Sequence, residues 1–166
     1  MMKGFHMAEQ KTNVMRLLDQ KKICYTAHEY PHGETAVDGV TVAGLIGRTP
    51  DCVFKTLVTR GSSKNLFVFV IPVAKELDLK LAAKAVGEKS IEMIHVSEIT
   101  PLTGYVRGGC SPIGMKKQYR TCFDSSALKQ DTVIVSAGKI GAQVELAPQD
   151  LIGLTRAVTA EITKEP

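Results

Sequence analysis

Asp51 to Thr59, DCVFKTLVT, sets one cation inside an apolar run, and no other stretch constrains the fold as tightly. Cys52, Val53, Phe54, Leu57 and Val58 are residues that a strand buries, yet Lys55 stands among them. Alternate side chains of a strand share a face, so Lys55 travels with Val53 and Leu57, and Phe54 with Cys52, Thr56 and Val58. If the Lys55 face turns inward, an ammonium enters a low-dielectric interior and needs a negative partner there. If it turns outward, the strand is half exposed and the lysine solvated; these nine residues by themselves allow both. The polar turn Gly61-Ser-Ser-Lys-Asn65 follows, and then Leu66 to Val73, apolar on both faces and therefore a central strand. Two strands joined by so short a turn form an antiparallel pair.

Around this hairpin the chain alternates short helices and short strands. Val14, Leu17 and Leu18 fall at helical spacing behind a Thr12 or Asn13 cap, and Ile23 to Tyr30 reads as a strand closed by Pro31. Thr35 is expected to cap a second helix through about Ile46, with Val37, Val40 and Leu45 inward and Gly47 as its stop. Asp78 caps a third helix through Val86, with Leu79, Ala82, Ala83 and Val86 as its stripe and Gly87 ending it. Ile91 to Ile94 reads as a strand, followed by a helical turn near Ser97 to Thr100. Tyr119 to Phe123, Thr132 to Ser136 and Gln143 to Leu146 read as further strands, and Pro148 to Leu154 as a last helix. This mixture predicts the α+β class: a mixed, barrel-like curved β-sheet flanked by short helices.

A chain of 166 residues with 44% hydrophobic and 23% charged residues suits a single domain with one core. That domain is expected over residues 12–160, after a disordered leader at 1–11 and before a tail at 161–166. Lys plus Arg number 21 against 17 Asp plus Glu, and a net charge of +4 permits an anionic partner without demanding one. The N-terminus lacks the apolar run of a signal peptide, and no segment reaches the length of a membrane span, which points to the cytoplasm. Cys24, Cys52, Cys110 and Cys122 form no CxxC pair and read as reduced thiols rather than zinc ligands or disulfides.

One motif misleads. His28-Glu29-Tyr30-Pro31-His32 matches HExxH, whose chemistry requires a helix to bring both histidines to one metal. Pro31 lies between them, lacks a backbone N–H and disfavours helix at Tyr30. No metal site and no cofactor are expected. Gly108-Gly109-Cys-Ser-Pro-Ile-Gly114 is too rich in glycine for a plain strand. It reads either as a structural turn or as the backbone wall of a small pocket. It is no phosphate loop, because it lacks GxxxxGK[ST] and no helix follows. Lys116, Lys117 and Arg120 beyond it suit either a solvated face or contact with a phosphate backbone. Ser136-Ala-Gly-Lys-Ile-Gly141 is a second glycine-bearing turn. The four histidines, His6, His28, His32 and His95, occupy no recognisable catalytic context.

Three segments in fixed order carry a resemblance: Phe54-Lys55-Thr56-Leu57, Thr103-Gly104-Tyr105 leading into Gly108-Gly109-x-Ser-Pro-x-Gly114-x-Lys116-Lys117, and Val135-Ser136-x-Gly138-Lys139 leading to Glu145-Leu-Ala-Pro-Gln-Asp-Leu151. Over about Asn13 to Leu154 the chain resembles the YbaK/EbsC family of aminoacyl-tRNA deacylases, related to the editing domain of bacterial prolyl-tRNA synthetases. The resemblance implies a trans-acting enzyme that clears cysteine from mischarged tRNA(Pro), and by extension Cys-tRNA(Cys), with the synthetase as partner and no part for DNA or membrane. Cysteine and proline are too similar in size for one apolar pocket to separate, so a second site of different chemistry is the remedy. The resemblance places the essential lysine at Lys55, holding phosphate or ribose oxygens of the terminal adenosine. It places substrate contacts at Tyr30, Thr56, Gly108, Gly109 and Ser136. In that family the substrate's own thiol attacks the ester carbonyl, and the protein supplies orientation and charge placement. The chain departs from the pattern in a shorter segment after Tyr30, in Thr35-Ala-Val-Asp38 at the second helix, and in Cys110, where an aliphatic residue is usual. Two alternatives stay open: an alanyl-tRNA deacylase of the same fold, and a binding module without turnover.

Overall fold

The structure, a computed structural model, describes residues 11–166, so the leader expected over 1–11 lies outside the described residues apart from Lys11. Helix α1, Asn13–Gln20, is capped by the Thr12 hydroxyl, which accepts from the Met15 N–H at 3.2 Å, and it buries Val14, Met15 and Leu18. Strand β1 spans only Thr26–Glu29, although the Tyr30 N–H continues the ladder by donating to the Gly141 carbonyl at 3.0 Å.

Helix α2, Gly39–Leu45, starts later than expected. Its cap is Asp38, whose carboxylate accepts from both the Thr41 N–H and the Thr41 hydroxyl, and residues 35–37 stay outside it. Val42 and Ala43 are its buried residues, while Val40 and Leu45 face outward, both 47% exposed. The helix therefore buries a different face from the one read from sequence, with Ala43 packed against Val53, Val73 and Ile134. A single 3-10 turn, Pro50–Cys52, leads into β2, Phe54–Gly61, and β3, Leu66–Pro72, which pair antiparallel from Phe54↔Pro72 to Arg60↔Leu66.

Strand β4, Glu76–Leu77, and helix α3, Leu79–Val86, follow, the helix capped by Asp78 and stopped by Gly87 at a φ of 77°. Beyond them lie β5, Ile91–Met93, and α4, Val96–Thr103. After the glycine-rich segment come β6, Arg120–Asp124; a 3-10 turn at Ser125–Lys129; β7, Val133–Ser136; and β8, Ala142–Leu146. The chain continues through α5, Pro148–Thr155, to β9, Val158–Ala160, and β10, Thr163–Lys164.

The larger sheet runs β5-β2-β3-β6-β9, antiparallel at the hairpin and parallel from β3 onward, with β3 at its centre. The smaller runs β1-β8-β7, all antiparallel, and a parallel bridge between Val53 and Ile134 joins the two. The class is α+β and one core cluster is shared by the two sheets, but among the described residues they do not close into a barrel, because β5 and β9 remain edges. Val68 and Val70 of β3 pack with Phe54, Val133, Val144 and the two helices α1 and α5 between the sheets. Phe67, Phe69 and Ile71 pack on the opposite face under α3. Both faces of β3 are therefore buried, as its unbroken apolar run requires.

The stretch 161–166, read as a tail, contributes to this second cluster. Ile162 is fully buried, its N–H donates to Asp124 at 3.1 Å, and its carbonyl accepts from the Asp78 N–H at 2.8 Å. Strand β10 then pairs with β4. One buried isoleucine in a polar stretch gives no periodicity to read, so only the tertiary pairing reveals it.

Candidate functional site

Strand β5 covers β2 only over Thr59–Gly61 and β7 meets its start at the Val53–Ile134 bridge, so between them β2 has a paired strand on one side alone. The Val53 carbonyl accepts from the Val73 N–H on the β3 side, and the Val58 carbonyl from the Ile94 N–H on the other. Successive strand residues alternate in this respect, so Thr56, in step with Val58, directs its N–H and C=O to the uncovered edge. Along that edge lies a cavity of about 560 Å³, a size that encloses small ligands. Its walls come from β2, from residues 36–39 with α2, from β5 and α4, from the Arg107–Cys110 turn, and from β7 and β8.

Lys55 sits on this wall, half-buried, opposite Ile71 in the register and on the face of Leu57 and Phe69. Among the described residues it forms no ion pair or hydrogen bond. Burial holds its ammonium below the usual lysine range, and the negative charge of Glu76 only partly opposes that. Of the two orientations left open by the sequence, the inward one is realised. Thr56 lines the same wall, with its hydroxyl oxygen buried and without a partner.

Tyr30 is 5% exposed, lines the cavity and meets the His32 ring edge-on, with centroids 6.3 Å apart. Gly108 also lines it, at a φ of 86°, a conformation that disfavours side chains. A Cβ there would stand 2.5 Å from the Ala36 Cβ, so the two walls touch through the missing side chain. Gly109 lies behind the wall instead, its carbonyl accepting from the Ser136 hydroxyl at 2.9 Å. A Cβ on Gly109 would meet the Lys139 backbone at 2.9 Å, so it serves close packing of two turns. Ser136 reaches the cavity but is engaged twice, donating to Gly109 and accepting from the Gly138 N–H at 3.1 Å. Five of the six expected residues thus share one cavity, and the sixth supports its wall.

The same cavity gathers residues that sequence reading passed over as site residues. Arg107 stands exposed at its rim, Asp38 caps α2 beside it, and Gln143 projects from β8, only 7% exposed. The alternation Gln143-Val144-Glu145 was the available signal, since it marks a polar face on an otherwise apolar strand. Cys110 lines the cavity as well, its thiol pushed up to about 11 by burial. At neutral pH it is a protonated thiol and a weak nucleophile.

The HExxH residues part company. His28 bonds Glu145 at 2.7 Å, and that carboxylate also binds Arg48 at 3.1 Å and Thr132 at 2.5 Å. His32 lies in the loop after β1, where its ring contacts the Gly33 carbonyl at 2.8 Å. His28 is fixed on a strand, where the helical pairing the motif needs does not arise. No helix of the described residues is long and apolar enough to cross a membrane.

The model of the aminoacyl-tRNA editing domain matches residues 31–154, a span that contains most of the cavity wall. EbsC of Enterococcus faecalis, a candidate Cys-tRNA(Pro)/Cys-tRNA(Cys) deacylase, is 47% identical over 155 residues, covering 93% of this chain and 94% of that protein. Among solved structures, a candidate trans-editing enzyme for prolyl tRNA synthetase superposes with a TM-score of 0.78 at 24% identity, over 91% of this chain and 94% of that one. The hypothetical protein APE2540 superposes with a TM-score of 0.82 at 22% identity, over 92% of this chain and all of the other. At those identities the two structures speak to the fold alone.

Proposed function

This chain belongs to the aminoacyl-tRNA editing domain family, and from that premise we propose that it is a trans-acting deacylase that removes cysteine from mischarged tRNA(Pro). The observation that carries the reading is Lys55, a half-buried ammonium that forms no ion pair among the described residues, on the wall of a cavity sized for a small ligand. An ammonium held there is stabilised when an anion arrives, and the tRNA end brings phosphate and ester oxygens. Arg107 at the rim is suited to the phosphate that follows into solvent, and the exposed apolar lip of Met93 and Val96 to the flat face of an adenine.

In the proposed reaction the thiol of the esterified cysteine attacks its own carbonyl. A carbon–sulfur bond forms, the carbon–oxygen bond to the ribose breaks, and the thiol proton passes to the departing ribose oxygen. The products are a cyclic thiolactone and free tRNA. The pocket lends itself to this route because its own thiol, Cys110, is held protonated. Lys55 positions the ester and stabilises developing negative charge, and the glycine wall at Gly108 allows close approach of the acyl group.

Choice of tRNA is assigned to a partner, prolyl-tRNA synthetase, since a net charge of +4 is a small electrostatic surplus for selecting one tRNA. The reading places the protein where tRNA is charged, in the cytoplasm. The test is loss of ester from tRNA(Pro) charged with cysteine, alanine or serine. Cleavage of the cysteine ester alone supports the proposal. Cleavage of the alanine ester would replace it with an alanyl-tRNA deacylase, and binding without cleavage with a docking module.

A further inference from the structure

Gln143 is 7% exposed, lies in the middle of β8 between β1 and β7, and points away from the core face that Val144 occupies. Its side-chain carbonyl oxygen is fully buried and has no hydrogen-bond partner among the described residues, yet the residue lines the cavity. A buried amide oxygen left without a donor is uncommon and asks for an explanation. We propose that Gln143 accepts a hydrogen bond from the free α-ammonium group of the aminoacyl ester, so that the site admits only esters whose amine is unblocked. This rests on the deacylase reading of the cavity and adds the group by which the substrate is recognised.

The polar inventory of the cavity assigns the partners. Lys55 and Arg107 are donors only, so they take phosphate and ester oxygens and repel an ammonium. Asp38 is an anion on the same wall, but it is exposed and both its oxygens are engaged by Thr41. The Ser136 hydroxyl is committed to Gly109 and Gly138. Gln143 therefore offers an unengaged acceptor on a residue of the cavity wall, with the Thr56 hydroxyl as a second unpartnered group there. On the aminoacyl end the strongest donor is the α-ammonium, and a charge-assisted bond outweighs one from a thiol S–H. An N-acylated ester replaces that charged donor with a neutral amide N–H and adds bulk, which would spare peptidyl-tRNA from cleavage.

The probes are adenosine carrying cysteine through a 3′-amide, which resists cleavage, and its N-acetyl counterpart, with binding followed by calorimetry beside turnover of the corresponding esters. The wild-type protein is expected to bind the free amine at least about tenfold more tightly. Gln143→Met should remove that preference by weakening the free-amine ligand alone, while Gln143→Glu, an acceptor of similar shape, should keep it. Equal binding of both probes by the wild type overturns the proposal. So does a Gln143→Met variant that weakens both in parallel, or a Gln143→Glu variant that loses the preference. If Gln143→Met does not fold, the wild-type and Gln143→Glu results decide. A Gln143-dependent preference without ester cleavage keeps this inference and sinks the deacylase reading. Cleavage without the preference does the reverse, and failure to bind either probe together with no ester cleavage sinks both.

Discussion

Lys55 shows why a functional residue can be read against stability. Burial lowers its folded-state pKa below the unfolded value of 10.5, so the folded protein binds the proton less readily than the unfolded chain. Its contribution is therefore least favourable below the folded pKa, and the penalty is relieved as pH rises through that value toward 10.5. Lys55→Met is expected to raise the melting temperature at neutral pH and to abolish deacylation. Thermal melts and ester turnover on one preparation check both, and an active variant would remove Lys55 from the chemistry. Wild-type activity should fall with rising pH in the window where the ammonium deprotonates. Gly108→Ala acts by geometry instead, forcing a side chain at a φ of 86° and 2.5 Å from Ala36. It should lose about 1–3 kcal/mol in denaturant titration and most of its activity. The lysine was legible as an anomaly in a strand, and Gly108 as part of a glycine pair. Gln143 was not singled out, because the alternation Gln143-Val144-Glu145 marks a polar face without saying whether it meets solvent or a cavity.

Elements matter here through the edges they leave uncovered. β5 is short and β7 meets only the start of β2, so the stretch of edge between them stays open, and that gap becomes the cavity. The opposite wall is two turns laced by Ser136, with one bond to the Gly109 carbonyl and one from the Gly138 N–H. Tyr105 binds the same region, its hydroxyl donating to the Ile113 carbonyl at 2.5 Å. Ser136→Ala strips both of its bonds at a buried position and should cost about 1–3 kcal/mol. Because the turns carry Gly108, turnover should fall with it. Chemical denaturation beside kinetics tests this, and a variant less stable but fully active would confine Ser136 to a structural part. The hairpin and α3 were close to the pattern read from sequence, whereas β1 is shorter than expected and β4, β9 and β10 were not read as strands. The start of α2 also differs, because Thr35 and Asp38 are both competent caps, and only the Thr41 side chain and N–H select between them.

At the scale of the molecule, two clusters packed on opposite faces of β3 hold the sheet that carries Lys55. The last strand closes one of them, with Ile162 fully buried and both its backbone groups bonded. Ile162→Ala should destabilise by about 2–5 kcal/mol, although the residue does not line the cavity. Equilibrium unfolding measures that loss, and a change below about 1 kcal/mol would show that the terminal strand adds little to the fold.

The amino-acid sequence determined by itself the class, the central hairpin and the order of the motif-bearing segments. Those depend on local periodicity and turn chemistry, which neighbouring residues suffice to specify. The tertiary structure alone decided which way the Lys55 face turns, which glycine reaches the cavity, and which polar atoms are left without partners. These depend on contacts between residues such as Tyr30, Lys55, Gly108 and Gln143, far apart in the chain and adjacent only where the two sheets meet.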